Sequence, residues 1–252
     1  MKPISMTYSL SDQDFSSTKS LGIFNVATRL LENLAKQACF KNLTVLSNSS
    51  LKNILKLPSG VAIQDYDKAV ASRLGRIFWD QIGAYEAARD SGNEWLFLPK
   101  GFASFFRKPS SFKLATYVYD AAHEFYQTNY PGAMPWFECR YFNTCLRATL
   151  RYSDVIFTDS DFAKNELLRL ACEFKLKEPY VVTAGIGFSR IEEDGGTKSD
   201  SLLFLTSAWP HKLTEKGLSF VERWQRKSGF SGSIKLVGSL PPGMSVSRYI
   251  GW

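Results

Sequence analysis

The 252-residue sequence predicts an α/β fold built on a mostly parallel sheet, and three observations predict it. Short apolar runs of strand type alternate with segments of helical periodicity, at the spacing of βαβ units. The runs are continuous and apolar, as in strands covered on both faces. Hydrophobic residues make up 44% and charged residues 22%, close to the globular average, so wholesale disorder is excluded and a sizeable core needs no staples.

The elements follow in order. Ile4–Ser9 reads as a strand, and the polar stretch from Asp12 to Ser20 as a loop. Ile23, Val26, Ala27, Leu30, Leu31 and Leu34 then mark one face of a helix. Leu43–Leu46 is a strand, and Ala69–Ser91 is helical with poor caps. Trp95–Leu98 is a strand stopped by Pro99 and Gly101. Lys113–Tyr119 is a strand that delivers Asp120 to its C-terminal end. Tyr141, Phe142, Cys145, Leu146, Thr149 and Leu150 predict a helix, followed by strand Val155–Thr158, helix Phe162–Phe174 and strand Tyr180–Thr183.

Residues 189–201 are polar and glycine-bearing with almost nothing to bury, which marks a linker. The alternation then restarts with strand Leu202–Leu205, helix Thr214–Lys227, strand Ile234–Val237 and a turn at Pro241-Pro242-Gly243. The expected organisation is a domain over 1–188, a linker over 189–201 and part of a second domain over 202–252. One βαβ unit is too small to be a stable doubly wound domain, so it is expected to pack on the first domain or to belong to a longer protein.

Several classes are excluded or disfavoured. No apolar stretch approaches the roughly 18 residues that span a bilayer. The N-terminal MKPISMTYSLSDQDF has no apolar core of secretory type. Cys39, Cys139, Cys145 and Cys172 form no CxxC, and His123 and His211 are the only histidines, so a structural zinc site has little to draw on. Four scattered thiols fit a reducing cytosol, and the sequons at Asn42 and Asn48 read as chance. The net charge of +7 attracts anions, but the basic residues form no run and no finger or RNP-like motif, so nucleic acid is not expected as a partner. GxSxG, GxxxxGK[ST] and HExxH are all absent.

Four places can carry chemistry. The loop ending Lys19-Ser20-Leu21-Gly22-Ile23 puts Gly22 at a helix N-terminus, where a phosphate can approach backbone N–H groups; a simple tight turn is the alternative. Asp120 and His123 lie just past a strand's C-terminal end, the edge where open α/β sheets bind ligands. They can orient or deprotonate a hydroxyl, or serve as a helix cap and a surface residue. Asp159-Ser160-Asp161 has the form of a metal-holding DxD, but it opens a helix, where aspartate and serine are preferred caps, and is read as a cap. Lys212 and Lys216 follow a strand and can neutralise a diphosphate, or be ordinary surface charges at a helix start.

Taken together, these segments resemble the retaining GT-B glycosyltransferases of family 4. Ser20-Leu21-Gly22-Ile23-Phe24-Asn25-Val26-Ala27 resembles that family's first glycine loop and helix. Tyr117-Val118-Tyr119-Asp120 followed by Asn129-Tyr130-Pro131 is similar to its "VHD…YP" segment, with Tyr119 in place of the usual histidine. Arg140-Tyr141-Phe142 through Ser153 to Lys164 resembles "RRY…ADxVIxVSxFS", the most specific stretch. Val181 to Ile186 resembles "VIPNGV", and Leu203 to Leu218 resembles "LFVGRLxxxKGL", with Ala208 where the family has arginine.

The resemblance implies a Rossmann-like N-terminal acceptor domain, a hinge and the first βαβ of a Rossmann-like donor domain. It implies a nucleotide-sugar donor bound without metal or other cofactor, and a glycan, lipid-linked or small hydroxyl acceptor. Gly22, Lys212 and Lys216 would hold the donor diphosphate; the family histidine position is Tyr119, and Asp120 with His123, a few residues downstream, is the catalytic pair expected from their place past the strand end. The setting implied is cytoplasmic, with peripheral contact at the inner membrane face through Phe102, Phe105, Phe106, Arg107 and Lys108, unless those aromatics belong to the core. The family's pair of spaced glutamates in the donor domain has no counterpart, so the chain is expected to be shortened within that domain and to turn over little unaided. A non-catalytic glycan- or partner-binding module derived from such an enzyme is the alternative.

Overall fold

In the computed structural model, residues 3–13, 21–51, 53–106, 111–187 and 200–244 are described. The expected linker over 189–201 therefore lies almost wholly outside the described residues, as do Arg107, Lys108 and most of the loop before Leu21. The chain divides into two compact units, Met1–Gly187 and Phe188–Trp252.

The first unit alternates in the expected manner. It contains β1 (Ile4–Ser9), α1 (Leu21–Leu34), β2 (Phe40–Ser47), β3 (Ala62–Asp65), α2 (Arg73–Phe78), α3 (Ala84–Ser91) and β4 (Trp95–Leu98). It continues through β5 (Lys113–Tyr117), α4 (Ala122–Asn129), α5 (Trp136–Tyr152), β6 (Val155–Thr158), α6 (Asp161–Glu173) and β7 (Val181–Thr183). The seven strands form one sheet in the order β3-β2-β1-β4-β5-β6-β7, every pair parallel, which is a Rossmann-like topology.

Alternate residues of each strand point to opposite faces. Tyr8, Val45, Phe97 and Tyr117 pack with Phe24, Ala27 and Leu31 of α1 on one face. Leu46, Leu96, Leu98 and Leu114 meet Trp79, Tyr85 and Ala88 on the other. Further along that second face, Val118 and Ile156 pack with Leu146 and Leu150 of α5 and Leu167 and Leu170 of α6. Burying a side chain of this size stabilises the fold by about 1.5–3 kcal/mol. A buried amide just before β4 ties β1 and β2 together: Asn93 Nδ2 donates to Thr7 Oγ1 and Thr44 Oγ1, both at 3.0 Å.

Three expectations need correction. The expected Ala69–Ser91 helix begins at Arg73 and has a good cap, since Ser72 Oγ accepts from the Gly75 N–H at 3.0 Å. It is also interrupted by a π turn over Trp79–Gly83. The expected Lys113–Tyr119 strand ends at Tyr117, after which Val118 makes one more bond to Phe157 and the chain leaves the ladder.

The second unit holds β8 (Ser201–Thr206), α7 (Thr214–Ser228) and β9 (Ser233–Gly238), with β8 and β9 paired in parallel. A Cβ on Gly217 would lie 2.6 Å from the Phe204 ring, so α7 packs closely on β8 there. Among the described residues no helix is long and apolar enough to cross a membrane.

Candidate functional site

The strand order reverses at β1, which has β2 on one side and β4 on the other. The loops leaving β1 and β4 therefore diverge, and ligands of open α/β sheets bind in the resulting crevice. Here the crevice is lined by Ser9 and Asp12 after β1, Leu98, Pro99, Lys100 and Phe102 after β4, and Asp80 and Ala84 from the helical segment. Its volume of about 20 Å³ is room for one water rather than a sugar.

A half-buried charge cluster fills it. Lys100 Nζ is in direct contact with Asp12 Oδ2 and lies 3.3 Å from Asp80 Oδ1. The Asp12 side chain is 1% exposed, and its Oδ1 has no hydrogen-bond partner among the described residues. Burial pulls the Lys100 ammonium down to about 7 and pushes the Asp80 carboxyl up to about 7. The neighbouring Trp79 Nε1 donates to Ser9 Oγ at 3.2 Å.

The π turn has a second consequence. Gln81 points inward with Nε2 toward Tyr141 Oη (3.2 Å) and Cys145 Sγ (3.4 Å), and its Oε1 accepts from the Phe105 N–H at 3.0 Å. Ser104 Oγ donates to the Gln81 carbonyl at 2.9 Å, and the Ser104 N–H donates to Tyr85 Oη at 2.9 Å. Burial pushes the Cys145 thiol up to about 12, so it stays an inert thiol. Thr149 Oγ1 of α5 also accepts from the Ala103 N–H at 2.7 Å, so the loop after β4 is pinned from three elements. It starts at Gly101, whose φ is +86° and where a Cβ would lie 2.7 Å from the Tyr117 carbonyl oxygen.

Asp120 and His123 stand beside this loop, past the end of β5. Asp120 is exposed, and its Oδ1 accepts from the Ala122 N–H, the first of α4, at 3.0 Å. His123 is not a free surface residue. Its ring stacks on Phe142, 4.0 Å between centroids and 26° apart, and meets Phe102 edge-on at 5.6 Å. Burial pulls its imidazole down to about 4, with Asp120 opposing the shift. At neutral pH the ring is uncharged and weakly basic, suited to hydrogen bonding more than to proton abstraction. Phe102 touches both His123 and the crevice, so the edge of β1, β4 and β5 is one continuous region.

Gly22 lies in the first turn of α1, on the same edge, and a Cβ there would meet nothing within 4 Å. Among the described residues no close cradle surrounds it. Ser160 caps α6, accepting from the Ala163 N–H at 3.2 Å, while Asp161 accepts from Thr183 Oγ1 at 2.7 Å. Both are local structural bonds, as expected for a cap.

Lys212 and Lys216 belong to the second unit. Lys212 closes a 3-10 turn over Pro210–Lys212, and Lys216 lies in the first turn of α7; both are exposed. Leu213 between them takes φ +50°. Thr214 Oγ1 accepts from the Ser207 N–H at 3.0 Å and donates to its carbonyl at 2.7 Å, which fixes the loop after β8. The two lysines thus follow a strand's C-terminal end, as Asp12, Lys100 and Asp120 do in the first unit.

Asp12, Asp80 and Lys100 were not expected from the sequence. Asp12 and Lys100 each follow a strand, and that position was the available signal. Asp80 sits inside a helical segment and carries none. No protein-family model matches the chain, and no curated protein is significantly similar to it.

Proposed function

We propose that this chain serves sugar transfer, as a GT-B glycosyltransferase of retaining type. It would move a sugar from a nucleotide-sugar to the hydroxyl of a glycan, lipid-linked or small acceptor. One observation carries the proposal. The segments that resemble the family occupy, in order, the N-terminus of α1, the exit of β5, helix α5, the β6–α6 corner, the exit of β7 and the β8–α7 loop. The exits, corners and helix N-termini among these are the ligand-binding edge of a parallel sheet.

In this reading Lys212 and Lys216 of the second unit neutralise charge on the donor diphosphate as it leaves, and Gly22 marks a helix N-terminus of the first unit that can take a phosphate. Asp120 and neutral His123 hydrogen-bond the acceptor hydroxyl. The Asp12–Lys100–Asp80 cluster lies under that edge and holds the loops of β1 and β4 in place. The cytoplasm is the natural setting, with Phe105 and Phe106, 38% and 54% exposed, available to a membrane face.

The alternative is a binding module without catalysis. It is favoured by the low basicity of His123 and by Ala208 in the position of the clamping arginine. The test is to incubate the chain with nucleotide-sugars and hydroxyl acceptors and follow the anomeric proton by NMR. Transfer with retention supports the enzyme. Glycan binding with no nucleotide response supports the module.

A further inference from the structure

Away from the sheet edge, α4, α5 and α6 enclose a groove of about 660 Å³ in the first unit. That volume lies within the range of small-ligand sites. One face of α5 forms its floor. Trp136, Arg140, Asn143, Thr144 and Arg147 recur at helical spacing and all line the groove, while Leu146 and Leu150 turn into the core.

The chemistry of the wall is specific. Trp136 is 74% exposed, and Tyr130 lines the same space. Asn143 Nδ2 donates to Gln127 Oε1 at 2.8 Å, while Asn143 Oδ1 is buried and unmatched among the described residues. Two glutamates also line the groove, but both are already engaged. Arg169 lies 2.5 Å from Glu173 and 3.5 Å from Glu124. That pairing leaves the guanidinium groups of Arg140 and Arg147 without a carboxylate among the described residues. Arg147 is held in place 4.7 Å above the Phe174 ring.

We propose that this groove binds an acidic saccharide. An exposed indole offers a platform for the C–H face of a sugar ring. The amide of Gln127, held by Asn143, and the hydroxyl of Thr144 match sugar hydroxyls, and Arg140 and Arg147 match carboxylate or phosphate groups on the glycan. The groove is separate from the β1–β4–β5 edge, and the proposal does not rest on sugar transfer.

The experiment is calorimetric titration of the chain with trigalacturonate, maltotriose, inorganic pyrophosphate and an oligoglutamate peptide, repeated on Trp136→Ala and Arg140→Gln. Both positions are exposed, so neither substitution threatens the fold. Trigalacturonate is expected to bind more tightly than maltotriose, and each substitution to weaken it about tenfold, the loss of one aromatic platform or one charged bond. No trigalacturonate binding, or binding indifferent to both substitutions, overturns the proposal. Equal or tighter binding of pyrophosphate or of oligoglutamate also overturns it, the first marking a simple anion site and the second a protein-docking surface.

Discussion

The imidazole of His123 lies 4.0 Å from the ring of Phe142, nearly parallel to it, at the edge where the first sheet delivers its loops. This packing buries the ring. Burial disfavours the charged form and lowers the imidazole's affinity for a proton, to about 4, with Asp120 opposing the shift.

Stability should therefore depend on His123 in acid. The folded-state pKa is below the ordinary 6.5, so the unfolded chain binds more protons between the two values. The stability this group contributes is full above about 6.5 and is lost as pH falls through about 4. Denaturant unfolding should show a loss of roughly 2 kcal/mol across that window from this residue. His123→Gln should flatten the slope there; an unchanged slope would contradict the stacked, neutral assignment.

Lys100→Met should be among the more damaging single substitutions. It removes the cation between Asp12 and Asp80 and leaves the Asp12 carboxylate buried without compensation. Such a break costs about 3–5 kcal/mol. Combining it with Asp12→Asn should recover part of the loss, because the uncompensated charge goes with it. Unfolding midpoints of the single and double variants measure this, and a double variant less stable than Lys100→Met would refute the argument.

Gly101→Ala should destabilise by about 2–3 kcal/mol, from a left-handed φ and from crowding against the Tyr117 carbonyl. Gly22→Ala, where a Cβ meets open space, should change stability little. Chemical denaturation of the two variants side by side checks the contrast. Equal losses would contradict the geometry assigned to the loop after β4.

Much of the fold was legible because its strands are buried on both faces and so read as apolar runs. Val155–Thr158 is reproduced residue for residue. What was missed lacks that signal. β3 reads Ala-Ile-Gln-Asp at a sheet edge with every residue exposed, so nothing in its pattern distinguishes it from a loop. α4 buries only Tyr126, too little to impose a helical period. The π turn at Trp79–Gly83 is a local register change that periodicity cannot foresee. The site divides along the same line. Asp120 was found because it follows a strand, and Gly22 because it stands at a helix N-terminus. The Asp12–Lys100–Asp80 cluster joins residues far apart in sequence, and only the reversal of strand order at β1 brings them together.

The sequon at Asn48 gives a smaller example. Its side chain is buried, with Nδ2 donating to the carbonyls of Ser11 and Gln13 at 2.9 and 2.7 Å, and Oδ1 accepting from Ser50. This asparagine is a structural clamp on the loop after β1. Asn48→Asp should destabilise the chain by about 1–3 kcal/mol, since a carboxylate oxygen would face two carbonyls. A thermal midpoint equal to that of the unsubstituted chain would contradict this role.

The central claim is that exposed lysines after β8 receive the diphosphate of a nucleotide-sugar. Its most direct test is calorimetric titration of the chain with uridine, guanosine and thymidine diphosphates, repeated on Lys212→Ala and Lys216→Ala. The account predicts saturable binding of at least one nucleotide, weakened about tenfold by loss of a charge-assisted contact in at least one variant. Absence of binding by all three, or binding that neither substitution alters, would contradict it.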